Sequence, residues 1–256
     1  MNNQKLIAFH GDPKIKQKYV DRVRAHSEAD EIIKGRYWEN GKGCAVGCTL
    51  HSGDHSSYED ELGLPRIIAR LEDRIFEGMS NEKAKEFPLK FLEAVPVGAD
   101  TSMVFHKFMH WLLVDKDNGV IKFTENEKAK QAIQSVADTF KRTINGEIVS
   151  HGEWLEVRNA ANAAASAANA AASAAVDAAN AAYAVASAIA NAANAAASTA
   201  NAAASAYAAY AAAYAIANAA NAAYAAASAI AAFTKGIYDK QADKLVELLS
   251  ASPVTS

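Results

Sequence analysis

Apolar residues recur at helical spacing through the first 150 positions of the chain, and strand-like alternation is scarce. Asp12-Pro13 is a helix start, with Asp as the cap and Pro in the first turn. Tyr19, Val20, Val23, Ile32 and Ile33 follow it, and the pattern predicts helix up to Gly35. Pro65 opens a second amphipathic run through Ile67, Ile68, Leu71, Ile75 and Phe76, with Gly78 at its end. Ser80 caps a third helix, which is expected to break or restart at Pro88. Asp100 caps an apolar segment over 101–114, and Ile133, Val136, Phe140 and Ile144 mark a helix closed by Asn145-Gly146. The one good strand pattern is Gly119–Thr124, expected in a short hairpin.

The pattern changes abruptly after Arg158. Of the 75 residues from Asn159 to Phe233, 47 are Ala and only Asp177 is charged. Ala is the best helix former, and neither Gly nor Pro interrupts the chain between Gly152 and Gly236. Asn, Ser and Asp fall every three or four residues from 159 to 205, a mean period of about 3.5 that places them on one face and favours a left-handed supercoil. The stripe slips phase near Tyr207, Tyr210 and Tyr214, where a bend or reversal is expected. The segment 159–174 recurs at 191–206 with one difference, Thr199. The expected architecture is therefore all-α. A globular helical domain over 1–152 precedes an Ala-rich helix or helical hairpin over 153–250 that self-associates, and 251–256 form the C-terminal end.

Charge and composition remove several function classes. Residues 1–158 carry 23 Lys+Arg against 25 Asp+Glu and the whole chain stands at −3, so no basic field is present to hold nucleic acid. The apolar run Leu6–Phe9 is too short for a signal-peptide core, and nine Asn and six Ser in 159–233 argue against a membrane span. Two cysteines do not make a disulfide framework, which points to a reducing, cytoplasmic compartment.

The dense polar cluster is Asn40–His51, continued by Asp54-His55. A glycine-rich turn leading into Cys44 sets that thiol at a helix start, where amides, the dipole and Lys42 favour thiolate. A nucleophile there needs a base from His55, His51, His10 or His26, with Glu59 or Glu61 to orient it. The plainer use of Cys44 and Cys48 is as small buried residues one turn apart. As zinc ligands, Cys44, Cys48, His51 and His55 fail: on one helix they would span ~16 Å, far beyond a single tetrahedral ion. His106 and His110 lack the zincin Glu, since Lys107 stands between them. Gly41, Gly43 and Gly47 follow no buried strand and precede no Walker Lys, so a nucleotide-cofactor loop is not expected, while a backbone nest for an anion at Gly41–Cys44 stays open because it needs only amides. Trp38, Tyr58 and Trp111 are aromatic candidates for stacking on a base, with core packing as their commoner use.

The segments WENGKGCAVGCTLHSGDHSSYEDELGLP (38–65), RLEDRIFEGM (70–79) and FLEAVPVGAD (91–100) resemble an uncharacterised group of bacterial and bacteriophage proteins with a helical N-terminal region and an Ala-rich tail. The resemblance implies a bacterial or bacteriophage origin and no activity, and the role it suggests is in phage–host interplay. The expected function is a non-catalytic binding module with a polar pocket for a small anionic, nucleotide-like ligand, lined by Trp38, Gly41, Lys42, Gly43, Cys44, Thr49 and His51. No metal or cofactor is expected, and the partner is a second copy of the chain. One alternative is a Cys44-dependent hydrolase or transferase using His55 and Glu61. Another is an ice- or surface-binding Ala-rich helix, against which stands the absence of a Thr row.

Overall fold

A computed structural model describes residues 6–54, 57–123, 127–156, 159 and 236–255. It is mainly helical, with nine α-helices among the described residues. In chain order these are α1 (Pro13–Glu28), α2 (Ala45–Leu50), α3 (Ser57–Leu62), α4 (Arg66–Gly78), α5 (Asn81–Ala94), α6 (Val104–Val114), α7 (Glu127–Ile144), α8 (151–156) and α9 (236–250). A two-stranded antiparallel hairpin, β1 (Trp38–Glu39) and β2 (Lys42–Gly43), is inserted between α1 and α2. No helix among the described residues is long and apolar enough to cross a membrane.

Local chemistry sets the element ends. Asp12 caps α1 by accepting from the Lys14 amide at 2.8 Å, and Pro13 fills the first turn. The predicted continuation to Gly35 does not occur: Asp30 turns left-handed (φ 56°), and Ile33 instead donates its amide to Gly43 O at 2.8 Å. α4 follows Pro65 as expected and buries Ile68, Ala69, Ile75 and Phe76. α5 runs straight through Pro88, which is buried on its apolar face. The expected strand at Gly119–Thr124 is a 3-10 turn over Val120–Phe123. Asp115 winds it: its carbonyl accepts from Gly119 N, and its carboxylate accepts from Asp117 N and Asn118 N.

The core forms around α2, whose six residues are all buried and which touches α1, α4 and α5. That sequence, Ala-Val-Gly-Cys-Thr-Leu, carries no charge to keep in water. Tyr19, Val20 and Val23 of α1, Phe87, Phe91 and Leu92 of α5 and Phe108 of α6 close over it. α6 and α7 pack together, with Phe140 against Phe105 and Trp154.

The C-terminal region joins this same unit, which comprises residues 1–159 and 234–256. Ala242, Leu245 and Leu249 of α9 are core residues. The loop at 98–100 is held by both chain ends, through Ala8 N to Ala99 O (2.9 Å) and Asp100 N to Pro253 O (2.8 Å). The division of the sequence into 1–152, 153–250 and 251–256 thus separates α9 and the last residues from the unit they pack into. In sequence, the Ala-rich stretch is an insertion rather than a tail. The predicted helix or hairpin, its bend near 206–217 and its self-association lie outside the described residues.

Candidate functional site

The glycine-rich segment folds as a tight hairpin. Asn40 (φ 52°) and Gly41 (φ 80°) form its two-residue loop, the left-handed pair that such turns demand. Gly43 and Gly47 are there for another reason. A Cβ on Gly43 would lie 2.2 Å from Tyr37 O, and one on Gly47 only 1.5 Å from it. The strand segment Arg36–Trp38 lies directly on both glycines, and Cys44 N donates to Arg36 O at 2.8 Å. The glycines admit another part of the backbone. Lys42 sits exposed in β2.

Cys44 caps α2 with its own sulfur, which accepts from Gly47 N at 3.4 Å. Burial raises its pKa far above the ordinary thiol value, outweighing that amide, and the nearby Asp73 and Glu72 carboxyls add to the rise. Cys48 is fully buried, donates to Gly43 O at 3.3 Å, and is pushed up to about 12 by burial. Both thiols are therefore protonated at neutral pH. Iodoacetamide at pH 7.5 is expected to leave both unlabelled in the native protein and to label both in urea; rapid native labelling of Cys44 would contradict the packing described.

Next to Cys44 lies a buried polar layer. Tyr58 and Glu72 are completely buried, and the Tyr58 hydroxyl donates to Glu72 Oε2. Burial raises Glu72 to about 8. Glu72 Oε1 and Asp73 Oδ1 are buried without a partner among the described residues. Thr49, also buried, donates to Ala45 O at 2.9 Å. Tyr58 is thus a core residue, as is Trp111 in part, beside Phe108.

A second cluster joins three elements. Glu31 Oε2 meets His26 Nδ1 at 2.6 Å, and His26 Nε2 meets His51 Nε2 at 2.8 Å. Trp38 stacks on the His51 ring, 4.5 Å between centroids. Burial, then Arg22, then His26 lower the His51 pKa, so it is neutral at pH 7. Glu61, expected to orient a catalytic histidine, instead accepts from the Tyr19 hydroxyl. Glu31 is the carboxylate that orients one. His55 lies outside the described residues. The structure therefore does not assemble Cys44, His55 and Glu61 among the residues it describes. Nor do the described residues hold any group of three or more His, Cys, Asp or Glu suited to a metal ion.

The cleft beside this region has a volume of about 380 Å³ and is lined by Tyr37, Gly53, Asp54, Arg66, Arg70 and Asp73. Arg66 and Arg70 lie one turn apart on the exposed edge of α4. Among the described residues neither guanidinium is in an ion pair. The Tyr37 ring rests against Gly53, where a Cβ would come within 3.2 Å of the Tyr37 Cβ. A larger hollow of about 530 Å³ beside α7 is less suited to an anion, because its Arg142 is already bound by Glu147 and Glu153. Of the expected pocket residues, none of Trp38, Gly41, Lys42, Gly43, Cys44, Thr49 and His51 lines the cleft itself. Their neighbours Tyr37 and Gly53 do. The signal for the rest was present in the sequence as Arg66-x-x-x-Arg70-x-x-Asp73.

No family model, no curated protein and no solved structure matches this chain.

Proposed function

We propose that the protein is a non-catalytic binding module that takes a small anionic ligand in the cleft between Tyr37 and α4. The observation that carries this reading is the pair of guanidiniums, Arg66 and Arg70, one turn apart and without a carboxylate partner among the described residues. Two forks at that spacing suit the planar oxygens of a phosphate or carboxylate. The anion site sits on α4 rather than on the glycine-rich turn, whose backbone amides are occupied: Gly43 N by Glu31 O, and Cys44 N by Arg36 O and Tyr37 O. The protonated, packed thiols favour binding over nucleophilic chemistry. The periodic polar stripe of the Ala-rich insertion supports self-association as the second part of the role.

Titration of the full-length protein with inorganic phosphate, followed by calorimetry or amide chemical shifts, tests the anion site. Saturable binding is expected, weakened at least about tenfold by Arg66→Ala/Arg70→Ala, the cost of losing charge-assisted hydrogen bonds. Lys42→Ala is expected to leave it unchanged. Equal phosphate binding in wild type and the double arginine variant would refute the assignment.

A further inference from the structure

The end of α1, the hairpin and the end of α2 meet at two histidines. His26 Nε2 and His51 Nε2 lie 2.8 Å apart with their ring centroids at 5.0 Å, so the rings face each other nitrogen to nitrogen. Trp38 of β1 touches both: it stacks on His51 with 4.5 Å between centroids and stands edge-on to His26 at 5.4 Å. Glu31 closes the group twice. Its carboxylate meets His26 Nδ1 at 2.6 Å, and its carbonyl accepts from Gly43 N of β2 at 3.1 Å. A hydrogen bond between imidazole nitrogens needs a donor on one ring and an acceptor on the other. Two neutral rings satisfy this, and so does a pair holding one extra proton. A second extra proton puts an N–H on both facing nitrogens and a positive charge on each ring. The two charges repel and no acceptor remains between them, so the contact does not survive.

We propose that this group is an acid-operated clasp: protonation of His51 parts it from His26 and frees the hairpin from the end of α1. The charged and titratable groups that face His51 among the described residues are Arg22 and His26 on α1, Glu31 just beyond it, and Glu61 on α3. Burial, then Arg22 and His26 lower the His51 pKa, while Glu61 and Glu31 oppose them. Arg22 is fixed beside the ring, since it donates to Thr49 O at 2.8 Å. The clasp is therefore closed at neutral pH and weakens as pH falls below 6.5, the ordinary value of the ring. Linkage gives the direction: the open form takes up the proton more readily than the closed one, so acid favours opening by up to about tenfold per pH unit. The hairpin also carries Tyr37, which precedes Trp38 and walls the cleft. A loosened hairpin leaves that wall unfixed, so a bound anion is held less tightly in acid. This consequence rests on the anion-site reading above; the clasp itself does not.

Amide hydrogen exchange of the full chain at pH 7.5 and pH 5.0, read as protection relative to unfolded-chain rates, tests the clasp. The Gly43 amide bonds Glu31 O and the Ile33 amide bonds Gly43 O, so these two report the seam between the hairpin and the segment after α1. Their protection is expected to fall at least about tenfold at pH 5.0, while amides inside α4 keep theirs. His51→Phe keeps a ring for Trp38 but takes no proton, and His26→Gln offers a carbonyl to a protonated His51. In either folded variant the acid loss is expected to shrink below about twofold. Equal protection of Gly43 and Ile33 at the two pH values in wild type overturns the proposal whether or not the variants fold, and so does an acid loss that both variants retain. Sulfate, whose charge is constant over this range, probes the cleft by calorimetry. Its affinity is expected to fall at least about threefold at pH 5.0 in wild type and to hold in His51→Phe. If sulfate binds at neither pH, the anion-site reading falls and the exchange result still decides the clasp. If the hairpin opens in acid while sulfate affinity holds, the link from clasp to cleft is overturned.

Discussion

Wild-type protein is expected to lose about 3–4 kcal/mol more stability between pH 5 and pH 8 than Glu72→Gln does. Glu72 is completely buried, and burial raises its pKa from 4.5 to about 8, with Asp73 adding to the rise and the Tyr58 hydroxyl opposing it. The folded protein therefore holds a proton on Glu72 that the unfolded chain releases above 4.5. Stability from this group is complete below that value and declines as pH rises through 8, to a limit of about 5 kcal/mol from a difference of 3.5 pKa units. His51 acts in the opposite sense: its lowered pKa favours the neutral ring, so its contribution rises with pH up to the unfolded value of 6.5. The difference between wild type and variant isolates Glu72. Gln at this position places an amide nitrogen where Oε1 has no partner among the described residues, a cost of about 1–3 kcal/mol that does not vary with pH. Urea unfolding at pH 5, 6, 7 and 8 gives both slopes, and parallel slopes would show that Glu72 is not held protonated by the fold.

The helices were legible wherever an apolar stripe alone decided them. α4 shows this best: Pro65 marks its start, and Ile68, Ile75 and Phe76 face inward as their spacing requires. Where a side chain or a distant strand intervened, pattern reading misled. Val120–Phe123 alternates like a strand, but the Asp115 carboxylate and carbonyl gather the chain into a turn. Ile32 and Ile33 continue the apolar run of α1, yet they leave it to pair with Gly43, eleven residues beyond Ile32. α9 was expected as helix at the end of the Ala-rich run, but its place in the core was hidden, since the composition of that stretch masked an ordinary core spacing at Ala242, Leu245 and Leu249.

The candidate site was legible in half. The sequence concentrates Gly, Cys and His at 41–51, and that segment does organise the region. Its residues act as a base on which Tyr37 is laid, however, and the charges come from α4, two elements further on. No local pattern announces that Tyr37, Gly53, Arg66 and Asp73 will share one cleft, because the contact depends on α2 being buried between α1 and α4. Orientation of His26 by Glu31 was missed for a similar reason: the pair spans the end of α1, where helical spacing no longer applies.

Gly47→Ala is expected to cost several kcal/mol, although the same change inside an exposed helix stabilises by about 1 kcal/mol. The new Cβ would stand 1.5 Å from Tyr37 O and 2.6 Å from Tyr37 C. That carbonyl is not the end of a flexible side chain. It belongs to a segment tied to Cys44 N through both Arg36 O and Tyr37 O, and Trp38 beyond it is stacked on His51. To admit a methyl, Arg36–Trp38 must lift away from α2, breaking the hairpin seat and carrying Tyr37 out of the cleft. Overpacking against backbone inside a full core costs about 1–3 kcal/mol, and lost hydrogen bonds add to it. Gly41→Ala supplies the control. Its φ of 80° strains an L residue, but nothing lies within 4 Å of the added carbon, so about 1–2 kcal/mol is expected. Thermal unfolding of the two variants should place Gly47→Ala well below Gly41→Ala. Phosphate affinity measured at a temperature where both remain folded should fall only in the former, because only there is the wall of the cleft displaced. A Gly47→Ala protein as stable as Gly41→Ala would mean that Tyr37 does not rest on α2, and the cleft would lose the residue that shapes it.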